Sequence, residues 1–420
     1  MQLENVRLFD GTGDRLQDGR RILIQEDIIS EIGASRNQHN EGDDYCIDCS
    51  GLTAVPGLIN LHVHLCLDAS QDPLSLLRSE SESMTFLTMI SSAQKTLEGG
   101  ITTVRDLGTR GTLIFELRQV IENGRVLGPR IVASGQVITR TGGHGSGWIG
   151  RECDGKADIR EGIRSQLKQG ADVIKVMATG GVMTLGTSPY LASYSLEELE
   201  TVVDEVRREN VQVAAHAEGR EGIQLAVRAG VDTIEHGTFV DESIIYMMLE
   251  KGTVWVPTIS PHRFAERNRE QLNKLISEAK PLIRSIRDKD RVEEGRNISA
   301  GALAHFKKYC MTKDLKIGVG NDAGTPFVPH EDLVLEMEMF MEYGFSNYQV
   351  LRMATFGNAH ILKLDDHIGS IEEGKLADIV LIQGNPLDDL QALRHIAYVI
   401  KDGEVVFRNP AYIPGGIDCE

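Results

Sequence analysis

Through the middle of the chain, short apolar runs alternate with longer amphipathic stretches. Eight runs read as strands: LINLHVHL (58–65), ITTVRDLG (101–108), RIVASGQVI (130–138), ADVIKVMA (171–178), VQVAAHA (211–217), VDTIEHG (231–237), TVWVPT (253–258) and LKIGVGND (315–322). Between them lie helical patterns. Ser195-Leu-Glu-Glu198 forms a capping box that opens a helix through ETVVDEVRRE. Glu331 to Tyr343 and Ser346 to Leu364 space their apolar residues as helices do. Eight strands alternating with helices over 56–366 predict an α/β fold, a (β/α)8 barrel of the TIM type. The charged, helical stretch 262–314 reads as an insertion or helix pair before the last strand. The two chain ends differ from this centre. VRLFDG and RRILIQ near the start, and ADIVLIQGNP and IAYVIKDGEVVF near the end, are strand-like runs cut by Gly and Asp turns. They predict one small β-sandwich subdomain assembled from 1–55 and 367–420.

Composition narrows the function. The 420 residues carry 44 Lys+Arg against 62 Asp+Glu, a net charge of −18. That charge argues against nucleic-acid and anionic-membrane partners, both of which demand a basic surface. No apolar stretch reaches the ~18 residues that span a bilayer. The start, MQLENVRLFDG, lacks a basic segment followed by an apolar one, so no signal peptide is expected and the cytoplasm is the expected location. Six scattered cysteines then read as reduced thiols. Cys46-x-x-Cys49 has no second such pair and reads as structural.

The candidate chemistry lies at the strand ends. On a strand, residues i and i+2 face one way, so His62 and His64 point together and two neutral imidazoles can grip one divalent metal. Lys175 interrupts the fourth strand, His216 ends the fifth, His236 the sixth and Asp322 the eighth. Singly, each has a structural reading: a snorkelling lysine, a hydrogen-bonded core histidine, a turn-capping aspartate. Together they gather at the face where barrels place their active sites.

PGLINLHVH (56–64), Lys175 in IKVMATGG, His216 in AAHAEG, His236 in IEHGT, Asp322 in GNDAGTP and the tail IGSIEEGKLADIVLIQGNPL resemble the amidohydrolase superfamily over almost the whole chain. MATGGVM and TGGHGSGW place the resemblance in its metal-dependent prolidase-like and carboxypeptidase-like branch, related to imidazolonepropionase-type sequences. Asn60 stands where that family often has Asp, and Asn321 where it often has Thr. The resemblance implies two divalent metals, zinc first, with Lys175 carboxylated by CO2 as a bridging carbamate. His62, His64 and Asp322 would complete one position, and His216 and His236 the other. A bridging hydroxide would be the nucleophile and Asp322 the proton shuttle.

Several residues are weaker candidates. His144, in a glycine-rich loop, reads as a substrate-binding group or a surface histidine. Tyr194 reads as a donor to the scissile carbonyl or as packing under the helix that follows. Arg105-Asp106 reads as a structural ion pair, and His262 and Arg263 as partners for an anionic substrate end. Gly180-Gly181 supplies backbone freedom and lacks the lysine and hydroxyl residue of a phosphate loop. The expected function is hydrolysis of C–N bonds in small-molecule amides or peptides, dipeptides or N-acyl amino acids foremost. Cyclic amides of the imidazolonepropionase type, or phosphotriesters and esters on the same metals, are the alternatives. A homo-oligomer is expected from the resemblance alone.

Overall fold

The computed structural model describes residues 1–35, 45–184, 186–267 and 286–412. At the chain start, β1 (Gln2–Leu8), β2 (Gln17–Gln25), β3 (Ile28–Ala34), β4 (Cys46–Asp48) and β5 (Leu52–Pro56) precede the centre of the fold. At the end, β15 (Ile379–Gln383), β16 (Ile396–Lys401) and β17 (Glu404–Arg408) join them in one sheet of order β17-β16-β15-β5-β1-β2-β3, with β4 beside β1. Leu3, Val6 and Ile22 from the start and Ile379, Leu381 and Ile400 from the end share one buried core. Neither end could bury its apolar face alone, so the sheet needs both.

The barrel strands are β6 (Leu58–Val63), β7 (Ile101–Asp106), β8 (Arg130–Ala133), β9 (Val137–Thr139), β11 (Val173–Met177), β12 (Gln212–Ala217), β13 (Thr233–His236) and β14 (Val254–Val256), with β10 (Gly150–Glu152) flanking β9. All their pairings are parallel. Two of the eight expected strands depart from regularity. The third is broken: β8 pairs with β7, and β9 pairs with β11. Gly135 lies in the break at φ +69°, and a Cβ there would meet the Gln166 and Phe115 side chains, so only glycine fits. The eighth makes isolated bridges, Ile317 to Trp255 and Ala323 to Val63, rather than a ladder. Asn358 fills part of the gap. Its amide donates to the carbonyls of Ile59 (2.7 Å) and Val319 (2.8 Å) and accepts from the Val319 N–H (3.0 Å), stapling the first strand to the last.

The expected helices form with shifted ends. Ser195 caps Leu196–Arg207, with both bonds of the capping box made. The helix expected from Glu331 begins at Val334. That from Ser346 runs as Asn347–Arg352, widens into a π-turn at Met353–Gly357, and closes at Asn358–Ile361, where the staple residue is delivered. Within 262–314, helices span Ser260–Arg267 and Ile286–Tyr309, and the expectation for 268–285 falls outside the described residues. Arg130, at the start of β8, pairs with Asp378 and Asp402 of the end sheet. The sheet therefore packs where β8 begins, and the strand C-termini are left for chemistry. Among the described residues, no helix is long and apolar enough to cross a membrane.

Candidate metal centre

His62, on β6, and His64, just beyond it, both turn into the barrel mouth, as the two-residue strand period requires. In each ring Nδ1 is occupied: that of His62 lies 2.8 Å from Glu235 Oε2, and that of His64 2.9 Å from the Gly108 carbonyl oxygen. An Nδ1–H donating to these acceptors leaves the Nε2 lone pair free. Both Nε2 atoms lie 3.4 Å from Asp322 Oδ1. His216 has the opposite arrangement, with Nε2 bonded to the Gly180 carbonyl oxygen at 3.0 Å and Nδ1 left over. His236 bonds Thr258 Oγ1 through Nδ1 at 2.6 Å and keeps Nε2.

Backbone strain helps to aim these groups. His236 sits at φ +67° and Asp322 at φ +57°, left-handed conformations that cost a non-glycine residue of order 1–3 kcal/mol. At each position the strand's alternation is broken, so two successive side chains face the interior. Glu235 and His236 both lie against His62, and Asn321 and Asp322 both face the first strand.

Lys175 comes from the middle of β11 and is 1% exposed. Its Nζ, His62 Nε2, Asp322 Oδ1 and His144 Nδ1 are all buried and make no hydrogen bond. Buried polar atoms are rarely left so, and four on residues in mutual electrostatic or ring contact mark a place built for a ligand. Burial dominates the electrostatics. It pushes His62, His216 and His236 well below the usual imidazole range, with the nearby Lys175 ammonium adding to the effect. It takes His64 down to about 4 and His144 to about 3. All five imidazoles are therefore neutral at pH 7, the form that binds metals. Burial also lowers the Lys175 amine and raises the Asp322 carboxyl, each shift being opposed by the attraction between the two. His62, His236 and Asp322 each offer one ligand atom within 4.8 Å of the others. That trio takes members from both expected metal positions, so the two positions adjoin. Neutral imidazoles, a carboxylate and an amine without a partner are a donor set that fits divalent metals.

The weaker candidates separate. His144 reaches the cluster, its ring 4.7 Å from that of His216 and edge-on to Trp148 at 6.1 Å. Gly181 permits this by close approach rather than backbone freedom, since a Cβ there would come 2.7 Å from the His144 ring. Tyr194 takes its packing alternative: its hydroxyl donates to the Cys153 carbonyl oxygen at 2.9 Å within the core. Arg105 and Asp106 do not pair with each other, because adjacent strand residues face opposite sides. Arg105 meets Glu235 at 2.8 Å, while Asp106 accepts the N–H groups of Leu65 and Gly108. Arg263 pairs with Glu342 at 2.9 Å, and His262 Nδ1 lies 3.3 Å from Ser299 Oγ. Cys46 lies in β4 of the end sheet, and Cys49 directly follows that strand.

The sequence reading missed Glu235 altogether. It also treated Asn60 and Asn321 as separate departures from a family pattern. They are one feature: Asn60 Nδ2 donates to Asn321 Oδ1 at 2.7 Å, and Asn60 Oδ1 accepts the Asn321 N–H at 3.3 Å and the His62 N–H at 3.2 Å. The signal was available, because two amides replacing two unlike residues on strands that close the barrel suggest a mutual pair.

The amidohydrolase family model matches residues 53–406. Ochratoxinase of Aspergillus niger is 30% identical over 98% of this chain and 87% of its own. Imidazolonepropionase of Picrophilus torridus is 23% identical over 92% of this chain and 91% of its own. A crystal structure of a Xaa-Pro dipeptidase with methionine bound in its active site superposes with a TM-score of 0.86, at 31% identity over 97% of this chain and 99% of that one.

Proposed function

This chain belongs to the amidohydrolase family, and on that premise we propose that it is a binuclear metal-dependent hydrolase of C–N bonds in small amides or peptides. Dipeptides and N-acyl amino acids are the proposed substrates. The observation that carries the reading is the convergence of buried His62 Nε2, Lys175 Nζ and Asp322 Oδ1, none of them hydrogen-bonded, beside His64, His216 and His236. The Xaa-Pro dipeptidase with an amino acid in its active site, and the ochratoxinase relative, favour an acyclic amide over a phosphotriester.

His62, His64 and Asp322 would hold one divalent ion, and His216 and His236 the other. Zinc suits these nitrogen and oxygen donors. Such ions, when bound, polarise a carbonyl and make water acidic near neutral pH. The remaining steps belong to the chain. Lys175, its amine weakened as a base by burial, adds to CO2: an N–C bond forms, one N–H proton leaves, and an anionic carbamate replaces a cation that would repel metals. Asp322 accepts a proton from the attacking water and delivers it to the departing nitrogen. His144 hydrogen-bonds a substrate oxygen beside His216.

The test is amino-acid release by zinc-loaded protein grown with bicarbonate, across dipeptides and N-acyl amino acids. Release from a coherent subset supports the proposal. Two metals per chain with no release from any compound removes the peptide and acyl amino acid assignment and moves the search to cyclic amides. No metal bound at all removes the metal reading itself.

A further inference from the structure

The four histidines of the centre are not supported alike. The ring nitrogen facing away from the centre meets a backbone carbonyl oxygen in His64 (Gly108) and His216 (Gly180), and a hydroxyl in His236 (Thr258). Among the described residues, His62 alone has a carboxylate accepting from that nitrogen, Glu235 Oε2 at 2.8 Å, whereas the Glu218 carboxylate stands off from His216 Nε2 at 3.7 Å, beyond hydrogen-bond distance. The other oxygen of that carboxylate meets Arg105 Nη2 at 2.8 Å and accepts from the Thr233 hydroxyl. Arg105 also donates through Nε to the carbonyl oxygen of Leu61, the residue before His62, at 2.7 Å. Arg105, Glu235 and His62 are all fully buried, so no water weakens these bonds. His62 is thereby fixed twice, at its ring by Glu235 and at its backbone by Arg105.

A carboxylate accepting the far N–H makes an imidazole a more electron-rich ligand than a carbonyl or hydroxyl does, and losing such a partner typically costs ~10- to 100-fold in metal affinity. We infer that Glu235, held in place by Arg105, makes the two metal positions unequal, so that the ion held by His62 and His64 binds more tightly than the ion held by His216 and His236. Both are positioning residues that act through His62. The inference rests on the metal reading proposed above.

The experiment uses the full chain loaded with zinc and dialysed against a graded series of chelator concentrations, with metal per chain and far-ultraviolet circular dichroism measured at each step. Cobalt(II) substitution adds the visible spectrum as a second readout. The wild type should lose its ions in two separated stages, and His216→Ala should remove only the weaker. The test variant is the double substitution Glu235→Gln with Arg105→Met, which removes both charges together while a carboxamide oxygen can still accept from His62. Its tighter ion should weaken ~10- to 100-fold, bringing the two stages together. A folded double variant with the wild-type release profile overturns the inference, as does simultaneous loss of both ions from the wild type. Should the double variant not fold, Glu235→Asp carries the test. It keeps the charge but shortens the reach, and an unchanged tight stage overturns the proposal. If His62→Ala kept both ions at wild-type affinity, the metal reading itself would have failed, a result separate from these.

Discussion

Two cations are buried in the same barrel to the same degree and live in opposite surroundings. Arg105, on β7, spends its guanidinium on Glu235, Thr233 and the Leu61 carbonyl oxygen. Lys175, on β11, has no hydrogen-bond partner, although Glu235 and Asp322 lie near enough to draw its charge out. A buried charge is expensive unless it is paired and hydrogen-bonded, so the first arrangement supports the fold and the second burdens it. On the function proposed above, the lysine left unsatisfied beside five neutral imidazoles is the nitrogen that acts. The difference separates a charge satisfied within the fold from one that is not.

The comparison breaks most directly at Lys175. Lys175→Met keeps the length and apolar stem of the side chain and removes the nitrogen. Turnover should fall to background while the urea midpoint of the metal-free protein stays level or rises, because an uncompensated polar group has left the interior. A midpoint that dropped sharply would show that the lysine is structural after all. Arg105→Met should do the reverse to stability. Glu235 would keep its charge with only the neutral His62 ring and Thr233 hydroxyl against it, and losing the cation of a buried pair costs ~3–5 kcal/mol, read as a lowered urea midpoint in the metal-free protein. An unchanged midpoint would erase the distinction between the two cations.

How much of this was legible follows from the same geometry. Parallel strands deliver their C-terminal ends to one face, so His62, His64, Lys175, His216, His236 and Asp322 could be grouped from strand-like runs alone. Arg105 was assigned the wrong partner because Asp106 is adjacent in sequence, although strand alternation already forbids that pairing. Glu235 was hidden for a subtler reason. A regular strand puts Glu235 and His236 on opposite faces; Glu235 shares the interior face with Thr233, both meeting Arg105, and the backbone leaves the extended region only at His236, which brings that ring in beside it. No periodic pattern encodes that turn. The eighth strand was legible in place but not in form, since it meets the first through an isolated bridge at Ala323 rather than a ladder, and part of its tie runs through Asn358, which lies beyond a π-turn.

Asn60 and Asn321 supply the third case that sharpens the comparison, a buried polar pair with no charge. Each amide meets the other's strand, and Asn321 Nδ2 also donates to the Asp332 carbonyl oxygen at 3.2 Å. Removing one member therefore orphans hydrogen-bonding groups without leaving an ion behind. Asn60→Ala strips the partner from Asn321 Oδ1 and the acceptor from the His62 and Asn321 N–H groups. Both N–H bonds to Asn60 are long, at 3.2 and 3.3 Å, so the short amide–amide bond dominates the loss at ~1–3 kcal/mol, and the metal-free urea midpoint should fall by less than in Arg105→Met. A loss as large as that of the arginine variant would mean that strand closure, rather than charge, sets the cost of disturbing this interior. A smaller loss, with both metals still bound, would make charge the quantity that distinguishes the three sites.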